Sequence, residues 1–401
     1  MRICLIGATH VCHNPRLIRE ADSLAEAGHD VRVICPSFTR ALDQSGERQL
    51  ARRRWRFQKV DYLPLNFGGA VRSTFMRGRR RLAFELHQKL GGQRLAEYGY
   101  ATALREQRRQ ASLEPADWFI AHAHPALPVA ASAARRWQAR LGFDCEDLLS
   151  EHSGGDSPDI VRRIEKTHLP NCAYVSAPSE LIADRLQHDY KIERPLVLYN
   201  VFPLSLAEGM LPPGHRPEGK ILKLHWFSQT IGPGRGIEEA MEACGILGER
   251  VELHLRGKPS MGYDTVLLAL AKQYNVNLKL YSQIDHDDLI RSMDQFDVGL
   301  AMERTEIAGA ALTVSNKVGS YLLAGLAIAA TDTPGQRELL EQIPSAGFLY
   351  ESGKPDLLAE GLQKWIESRD ELKAAQQASW DAARRRFCWD IEKERFLQAL
   401  L

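Results

Sequence analysis

Short apolar segments and amphipathic helical segments alternate along most of the chain. At the start, Arg2–Ile6 is an apolar strand, a helix with one apolar face begins at Asn14-Pro15, and Val31–Cys35 is a second strand. Asparagine is a favourable N-cap, and proline fits the first helical position. A helical crossover between two apolar strands predicts a parallel sheet, because parallel neighbours require such a connection.

The best candidate for a linker is Leu211–Pro217, because its prolines and glycine interrupt both helices and strands. Strands are predicted before it at Trp118–Ala121, Ala173–Ala177 and Leu196–Tyr199, and after it at Ile221–Phe227, Val251–Leu255, Val276–Tyr281, Val298–Ala301 and Ala327–Ala330. Alternation on both sides predicts an α/β chain with two Rossmann-like parallel-sheet domains, at 1–205 and 206–380. We expect a C-terminal helix in 381–401 to return to the N-terminal domain.

Composition narrows the class of protein further. The chain has 401 residues, 44% of them hydrophobic, and its 52 Lys and Arg nearly balance 51 Asp and Glu, which argues against a nucleic-acid partner for the whole protein. The seven cysteines show no CxxC spacing, the N-terminus lacks the signal-peptide pattern, and no apolar run reaches the length of about 18 residues that spans a bilayer. We therefore expect a cytoplasmic protein.

The segment from Ser315 to Glu338 resembles the donor-site block of the group 1 (family 4) glycosyltransferases. The family has Asn-Lys, a helix containing an aromatic residue, Ala-Gly-Leu-Pro-Val, and later Gly-Gly and Glu; this chain has Asn316-Lys317, Tyr321, Ala324-Gly325-Leu326-Ala327-Ile328, Gly335 and Glu338. Three other pieces are similar to the family and follow in its order: Asn14-Pro15-Arg16 with Gly28-His29-Asp30-Val31, Leu198-Tyr199-Asn200-Val201, and Gly234-Arg235-Gly236-Ile237.

The resemblance implies a GT-B fold, in which two Rossmann-like domains face each other across a cleft. It implies transfer of a sugar, with retention of the anomeric configuration, from a nucleotide sugar to a glycan or lipid-linked acceptor. The nucleotide sugar is a substrate, and no other cofactor is expected. A nucleotide-sugar epimerase on the same fold is an alternative, as is a catalytically weakened homologue that acts as a binding or scaffold subunit.

Departure of a nucleoside diphosphate requires positive charge or oriented N–H groups near its phosphates. The loop before Asn316 leads into a helix N-terminus, which supplies both, and Ser315 or Asn316 can cap it. Arg235 follows Gly234 in a loop where a guanidinium can bind a phosphate. The resemblance adds Lys317 to this donor site. The alternative is that Arg235 is a solvated loop residue and Asn316 only a helix cap.

Two further candidates follow predicted strands in the N-terminal domain. Gly7 ends the first strand, where a small residue would let the donor phosphates or the acceptor approach, although it can also serve as a turn. His122 and His124 follow a later strand, and the family has a histidine at a similar strand end. The register favours His124 as a catalytic residue, whereas a structural loop histidine is the alternative.

One position departs from the family, which usually has two glutamates separated by seven residues, the second on the donor-site helix. Ser320 occupies the position of the second glutamate here. Glu303 and Glu306 in the preceding loop are the candidates to supply the missing carboxylate, Glu303 in donor binding and Glu306 in catalysis. If neither does, the donor site is loose and the scaffold interpretation gains weight.

No metal is expected at the site. Asp285-His286-Asp287 matches the Asp-x-Asp pattern of the other large glycosyltransferase fold, but it precedes Leu289-Ile290 and is typical of an acidic helix start with a capping Asp. No other group of Cys, His and Asp has metal-ligand spacing.

Residues 52–109 are strongly basic, with fifteen Lys and Arg against four acids. Aromatic residues stand among the arginines in Arg52–Phe57 and Phe75–Leu82, a combination that suits an anionic lipid surface and could equally suit RNA. The simplest alternative is a solvated helical face. Peripheral contact with the inner face of an anionic membrane is the functional alternative we favour over a nucleic-acid partner.

The serine at position 320, where the family has a glutamate, leads to a test of the donor site. If a loop carboxylate compensates, Glu303→Gln or Glu306→Gln should raise the Michaelis constant for the donor sharply, because each removes an ionised acceptor for sugar hydroxyls. Ser320→Ala should change it little. Steady-state kinetics with a nucleotide sugar measures both. Normal donor binding by both glutamine variants, with no turnover by the unaltered chain, would contradict compensation.

Overall fold

The computed structural model describes residues 1–37, 50, 53–62, 67–151, 158–303 and 308–401. These residues form two compact units: Met1–Leu198 together with Arg395–Leu401, and Tyr199–Glu394. Each unit has its own parallel sheet. Among the described residues, no helix is both long enough and apolar enough to cross a membrane.

The sheet of the first unit has seven parallel strands in the described part of the chain, in the order β3-β2-β1-β4-β5-β6-β7. They are β1 (Arg2–Gly7), β2 (Asp30–Ser37), β3 (Arg56–Asp61), β4 (Trp118–His122), β5 (Arg140–Asp144), β6 (Tyr174–Ala177) and β7 (Leu196–Val197). The central strands β1 and β4 pair in register from Ile3↔Trp118 to Gly7↔His122. Both are apolar and buried, as parallel strands covered on two faces must be.

Seven helices connect these strands in the described residues. They are α1 (Pro15–Glu26), α2 (Phe67–Leu90), α3 (Gln93–Tyr100), α4 (Leu104–Ala111), α5 (Leu127–Trp137), α6 (Pro158–His168) and α7 (Glu180–Tyr190). Asn14 caps α1 as predicted, because its side chain accepts a hydrogen bond from the amide of Leu17 at 2.9 Å. The basic region contains β3 and the long helix α2.

The sheet of the second unit has six parallel strands among the described residues, in the order β10-β9-β8-β11-β12-β13. They are β8 (Leu222–Ile231), β9 (Val251–Pro259), β10 (Leu278–Tyr281), β11 (Val298–Ala301), β12 (Ala327–Thr331) and β13 (Gly347–Tyr350). Leu224, Trp226, Leu253 and Leu255 of β8 and β9 are buried in its core. The prediction of two parallel-sheet α/β domains is confirmed.

The helices described in the second unit follow the same alternation. They are α8 (Ile237–Leu247), α9 (Tyr263–Gln273), α10 (His286–Arg291), α11 (Ala308–Ala311), α12 (Asn316–Ala324), α13 (Pro334–Leu340), α14 (Pro355–Glu367), α15 (Arg369–Arg385) and α16 (Trp389–Ala399). The last residues, Arg395–Leu401, belong to the first unit. There the ring of Phe396 lies 6.1 Å from that of Tyr174.

The proline-rich stretch Leu211–Pro217, the linker candidate, lies inside the second unit. Arg216 fixes it there, because its guanidinium donates to the carbonyl oxygens of Ala324 and Gly325 at the end of α12, at 2.5 and 3.0 Å. The two units divide earlier, between Leu198 and Tyr199. A run of residues that stops helices and strands therefore does not mark the division, since side-chain contacts can dock such a run on a domain.

Both sheets have a topological switch point, where successive crossovers leave in opposite directions. In the first sheet it lies between β1 and β4, and in the second between β8 and β11. Ligands of open parallel sheets bind outside the carboxyl ends of the strands at this point, because the loops diverge there and leave a crevice. The ends of these four strands are therefore where each unit can hold a ligand.

Close contact between α12 and β11 depends on Gly299. A Cβ atom at Gly299 would lie 2.3 Å from the ring of Tyr321, whose hydroxyl donates to the carbonyl oxygen of Leu300 at 3.0 Å. Gly299→Ala should therefore lower the free energy of unfolding by about 1–3 kcal/mol, as overpacked cores do. Chemical denaturation measures this change.

The matched control is Gly78→Ala, because an added Cβ at this position in α2 meets no atom within 4 Å. Alanine is the better helix former by roughly 1 kcal/mol, so this variant should be as stable as the original chain or more stable. Equal stability of the two variants would show that α12 can move away from the sheet without cost.

Candidate functional site

The donor-side candidates meet at the switch point of the second sheet. Arg235 lies in the loop after β8, and Glu303 lies just beyond β11. Gly236 has a φ of 75°, and a Cβ there would lie 2.6 Å from the Cβ of Met302. Glycine is therefore required for the Arg235 loop to pack against the residue that precedes Glu303.

The carboxylate of Glu303 joins the end of β11 to the start of α12. Its Oε1 accepts hydrogen bonds from the hydroxyl of Ser315 at 2.7 Å and the ammonium of Lys317 at 3.0 Å. Thr331 of β12 fixes the backbone of Glu303, with its hydroxyl accepting from the amide at 2.9 Å and donating to the carbonyl at 2.7 Å. The structure thus brings four predicted residues together: Arg235, Glu303, Ser315 and Lys317.

Glu303 is ionised in this setting. Burial favours its neutral form, but the charge of Lys317, the hydrogen bonds from Ser315 and Lys317, and the charge of Arg235 outweigh burial and lower its pKa below the ordinary value. The ammonium of Lys317 also lies 5.5 Å from the centre of the Trp226 ring, which limits where the side chain can move. The result is an anion held by Lys317, with the charge of Arg235 nearby.

The first turn of α12 behaves differently from the prediction in one respect. Ser315 occupies the N-cap position but makes no side-chain cap bond, because its hydroxyl is engaged with Glu303. Asn316, the first helical residue, is exposed. The N–H groups of a first helical turn have no partner within the helix, so this end of α12 offers donors and a positive dipole end to an anion.

Ser320 is fully buried on α12, and its hydroxyl has no hydrogen-bond partner in the described part of the chain. A buried serine does not reach a ligand in the way a longer glutamate can. The carboxylate nearest the start of α12 among the described residues is Glu303. Glu306 lies outside the described residues.

The structure places two candidates of the first unit in packed surroundings. A Cβ at Gly7 would lie 2.6 Å from the sulfur of Cys35, so glycine is needed there for packing between β1 and β2. His124 is 1% exposed, and its Nε2 lies 2.7 Å from Oε1 of Glu165. The other oxygen of Glu165 accepts from the Tyr190 hydroxyl at 2.5 Å. His124 therefore faces a buried acid.

A buried charge cluster at the switch point of the first sheet was missed by the sequence analysis. It consists of Arg16 and Glu20 from α1, His122 at the end of β4 and Asp144 at the end of β5, all of them buried. The guanidinium of Arg16 donates to both oxygens of Asp144, at 2.6 and 2.7 Å. It also donates to the carbonyl oxygen of Leu198 at 2.8 Å. We call this set the Arg16 cluster.

His122 lies between carboxylates on both sides of its ring. Its Nε2 is 3.1 Å from Glu20, and its Nδ1 is 3.3 Å from Asp144 and 3.5 Å from Glu146. Burial alone would lower its pKa, but the charge of Glu20 and the carboxylate contacts raise the pKa of His122 well above its ordinary value. Burial raises the pKa of Glu20, whose carboxyl lies 3.1 Å from His122, whereas the charge of Arg16 outweighs burial and lowers the pKa of Asp144.

Glu20, His122 and Asp144 each place one ligand atom within 4.8 Å of the others, as the ligands of a metal would. Their spacing along the sequence does not reveal this proximity. Arg16 occupies both oxygens of Asp144, so a metal ion there would lie beside a guanidinium. We therefore interpret the Arg16 cluster as an ion-pair network.

Asp285 stands at the N-cap position of α10 but makes no side-chain cap bond, so its expected capping role is wrong.

Ala123, between the two histidines, has a φ of 65° and a ψ of 160°. This is a backbone conformation that is almost confined to glycine and costs about 1–3 kcal/mol elsewhere. The amide of Ala123 donates to the carbonyl of Asp144 at 3.2 Å. The turn leaves the side chains of both His122 and His124 buried.

Comparisons with known proteins agree with this arrangement. Residues 14–200 match the family model described as glycosyl transferase 4-like domain, and residues 222–382 match that of the glycosyl transferases group 1. The chain therefore belongs to the group 1 glycosyltransferases and has the GT-B fold, as the resemblance implied. No curated protein sequence matches it significantly.

Solved structures show the same fold at low sequence identity. Anabaena HepE, in complex with UDP and glucose, is 17% identical with a TM-score of 0.70, over 100% of this chain and 99% of that chain. A glycosyltransferase from Rickettsia africae is 14% identical with a TM-score of 0.66, over 99% and 97%. A putative UDP-N-acetylglucosamine 2-epimerase from Listeria monocytogenes is 12% identical with a TM-score of 0.58, over 100% and 95%. The fold alone does not separate a transferase from an epimerase.

The raised pKa of His122 predicts a pH-dependent stability. A group whose pKa is higher in the folded state stabilises that state fully below its unfolded pKa of about 6.5, and this contribution is lost as pH rises through the folded pKa. His122→Gln should therefore lower the free energy of unfolding most below about pH 6.5. The difference should shrink as pH increases.

Denaturant unfolding of the original chain and of His122→Gln at a series of pH values measures the difference in the free energy of unfolding. His188→Gln is the matched control, because the His188 side chain is 78% exposed in the same unit. That variant should follow the original chain at every pH. A difference for His122→Gln that stays constant from about pH 6 to 9 would contradict a protonated His122 in the folded protein.

Proposed function

We propose that the chain transfers a hexose-type sugar from a nucleoside-diphosphate sugar to a glycan or lipid-linked acceptor, with retention. The observation that supports this most strongly is the group at the switch point of the second sheet. There Arg235, Lys317 and the N-terminus of α12 lie around the carboxylate of Glu303. This group supplies cations and N–H donors where an open parallel sheet holds its ligand.

The leaving diphosphate is the anion that this arrangement suits. Negative charge grows on its oxygen as the bond to C1 of the sugar breaks, and donors fixed in advance stabilise that charge without having to reorganise. Lys317 is held by Glu303 and by the ring of Trp226, so its ammonium is fixed before the donor binds. The proposal needs no resident metal, because Lys317, Arg235 and the helix end provide the positive charge.

Glu303 takes the place of the glutamate that the family has at Ser320. Both of its side-chain contacts in the described residues are made by Oε1, which leaves Oε2 to accept from a hydroxyl of the ribose or the sugar. Its lowered pKa keeps it ionised at neutral pH. The burial of Ser320 supports this assignment, because the serine does not compete for the ligand.

Retention follows if departure and attack take place on the same face of the sugar. The bond between C1 and the diphosphate oxygen breaks, and the bond between C1 and the acceptor oxygen forms. The proton of the acceptor hydroxyl passes to the leaving phosphate oxygen, so no enzyme nucleophile is required. The burial of His124 against Glu165 supports a role in positioning rather than in proton transfer.

The proposal includes the donor sugar nucleotide and the cellular compartment in which the chain works. HepE was solved with UDP and glucose, so UDP-glucose is the first donor to test. None of the seven cysteines, all of which lie in the described residues, forms a disulfide, which supports a reducing, cytoplasmic setting.

A panel of nucleotide sugars tests the proposal. The full chain should release nucleoside diphosphate from one of them in the presence of a suitable acceptor, and the product should keep the anomeric configuration of the donor. Conversion of the donor sugar without an acceptor would favour an epimerase. Thermal stabilisation by a nucleotide without turnover of any donor in the panel would favour a binding subunit.

Arg235→Ala should weaken donor binding and slow transfer about tenfold or more, because a charge-assisted contact typically contributes about 1.5–3 kcal/mol. Arg385→Ala is the matched control, since that side chain is 80% exposed on α15 of the same unit. Donor affinity by calorimetry and the transfer rate are the measurements. If Arg235→Ala behaves like Arg385→Ala, the loop does not contact the diphosphate.

A further inference from the structure

Helix α2 carries an exposed apolar ridge, which consists of Val71, Phe75 and Leu82. Their exposures are 53%, 62% and 58%. At 3.6 residues per turn, the three positions fall within about 40° of one another around the helix axis. They therefore form one narrow stripe rather than scattered surface side chains.

The ridge is not the face by which α2 packs on its own unit. That packing is made by the opposite face, where Ser73, Met76, Ala83 and His87 are buried. A helix with a buried face towards the core and a second apolar stripe towards solvent has more apolar surface than folding uses. Large exposed side chains in one row are typical of an interaction surface.

Arginines flank the ridge. Arg72 and Arg81 lie about 80–100° from its centre, one on either side, and Arg77 lies further round the helix on the Arg81 side. All three are exposed, and the six Lys and Arg of α2 face the single acid Glu85. Other arginines of the basic region are held by acids of the same unit: Arg53 by Asp22, Arg56 by Glu114 and Arg79 by Glu106. Beside the ridge, Arg81 pairs with Glu85 of the same helix at 2.9 Å, so this flank carries an acid as well as a cation.

We propose that α2 docks on the surface of an anionic phospholipid bilayer. Val71, Phe75 and Leu82 enter the boundary between headgroups and acyl chains, and Arg72, Arg77 and Arg81 lie at the level of the lipid phosphates. An apolar stripe with cations on its flanks is the pattern of helices that lie in this interface. The inference concerns where the enzyme works and does not depend on the proposed transfer reaction.

The geometry favours lipid over RNA. A nucleic-acid backbone requires cations at the centre of the contact, since its phosphates supply most of the affinity. On α2 the centre is aliphatic and aromatic and the cations stand at its edges. Phe75 could stack on a base, but Val71 and Leu82 could not.

Cosedimentation of the full chain with vesicles tests the inference. The protein should bind vesicles that contain phosphatidylglycerol and not those of phosphatidylcholine alone, and about 0.5 M salt should weaken the binding because it screens exposed charges. The double variant Phe75→Ser with Leu82→Ser should bind at least about tenfold more weakly, through loss of buried apolar area. Leu268→Ser, at a side chain 60% exposed on α9, is the matched control and should bind as the original chain does.

The charges are tested in the same way. Arg72→Glu with Arg77→Glu should lose binding to anionic vesicles, whereas Arg135→Glu, at an exposed arginine on α5, should lose much less. Phe75→Trp serves as a probe that keeps the ridge: its fluorescence should shift to the blue on anionic vesicles and be quenched by brominated lipid. These readouts do not involve the donor, so they are separate from the test of transfer.

Three results would overturn the proposal. The first is no binding to phosphatidylglycerol vesicles at low salt. The second is vesicle binding that the ridge variant retains in full while its thermal unfolding is unchanged. The third is tight binding to single-stranded RNA, lost in the arginine variant, with no binding to vesicles.

Discussion

The carboxylate of Glu303 holds the end of β11 against the first turn of α12, and the geometry of the candidate donor site depends on this contact. Its Oε1 accepts from both Ser315 and Lys317, so the hydroxyl that would cap the helix is engaged. The helix reaches this position because Gly299 lets Tyr321 lie directly on β11. In the function we propose, this fixed cation and the helix end supply the positive charge that a leaving diphosphate needs.

The switch point of the first sheet shows a different use of the same position. There Arg16 pairs with Asp144 and His122 lies against Glu20, and all four side chains are buried. Removing charges from water is costly, so such a network persists only when every charge has a partner. Arg16 also holds the carbonyl of Leu198, the last residue before the second unit begins. The switch point of the second sheet thus presents partly exposed charges. At the switch point of the first sheet, the charges are buried and fix the ends of the strands.

Many of the strands and helices were predictable from local sequence pattern. The buried site residues were not, because their positions depend on contacts between distant parts of the chain. The strand Val298–Ala301 has the predicted bounds, because a short apolar run marks it locally. Strands β3, β5 and β13 were missed. The first lies in a charged segment, the second is a short run with a charged residue at each end, and the third is short and half-buried. The Arg16 cluster draws on residues up to 128 positions apart, so no spacing rule reveals it. His124 follows a strand, as expected of a site residue, but its burial depends on Glu165, a partner on another element.

The most direct test of the account is a crystal structure of the chain with a bound nucleoside diphosphate. We predict that the terminal phosphate lies within hydrogen-bond distance of a backbone N–H in the first turn of α12 and of the Lys317 ammonium, with Glu303 still bound to Ser315. A diphosphate held elsewhere in the second unit, with no contact to α12 or Lys317, would contradict the central claim.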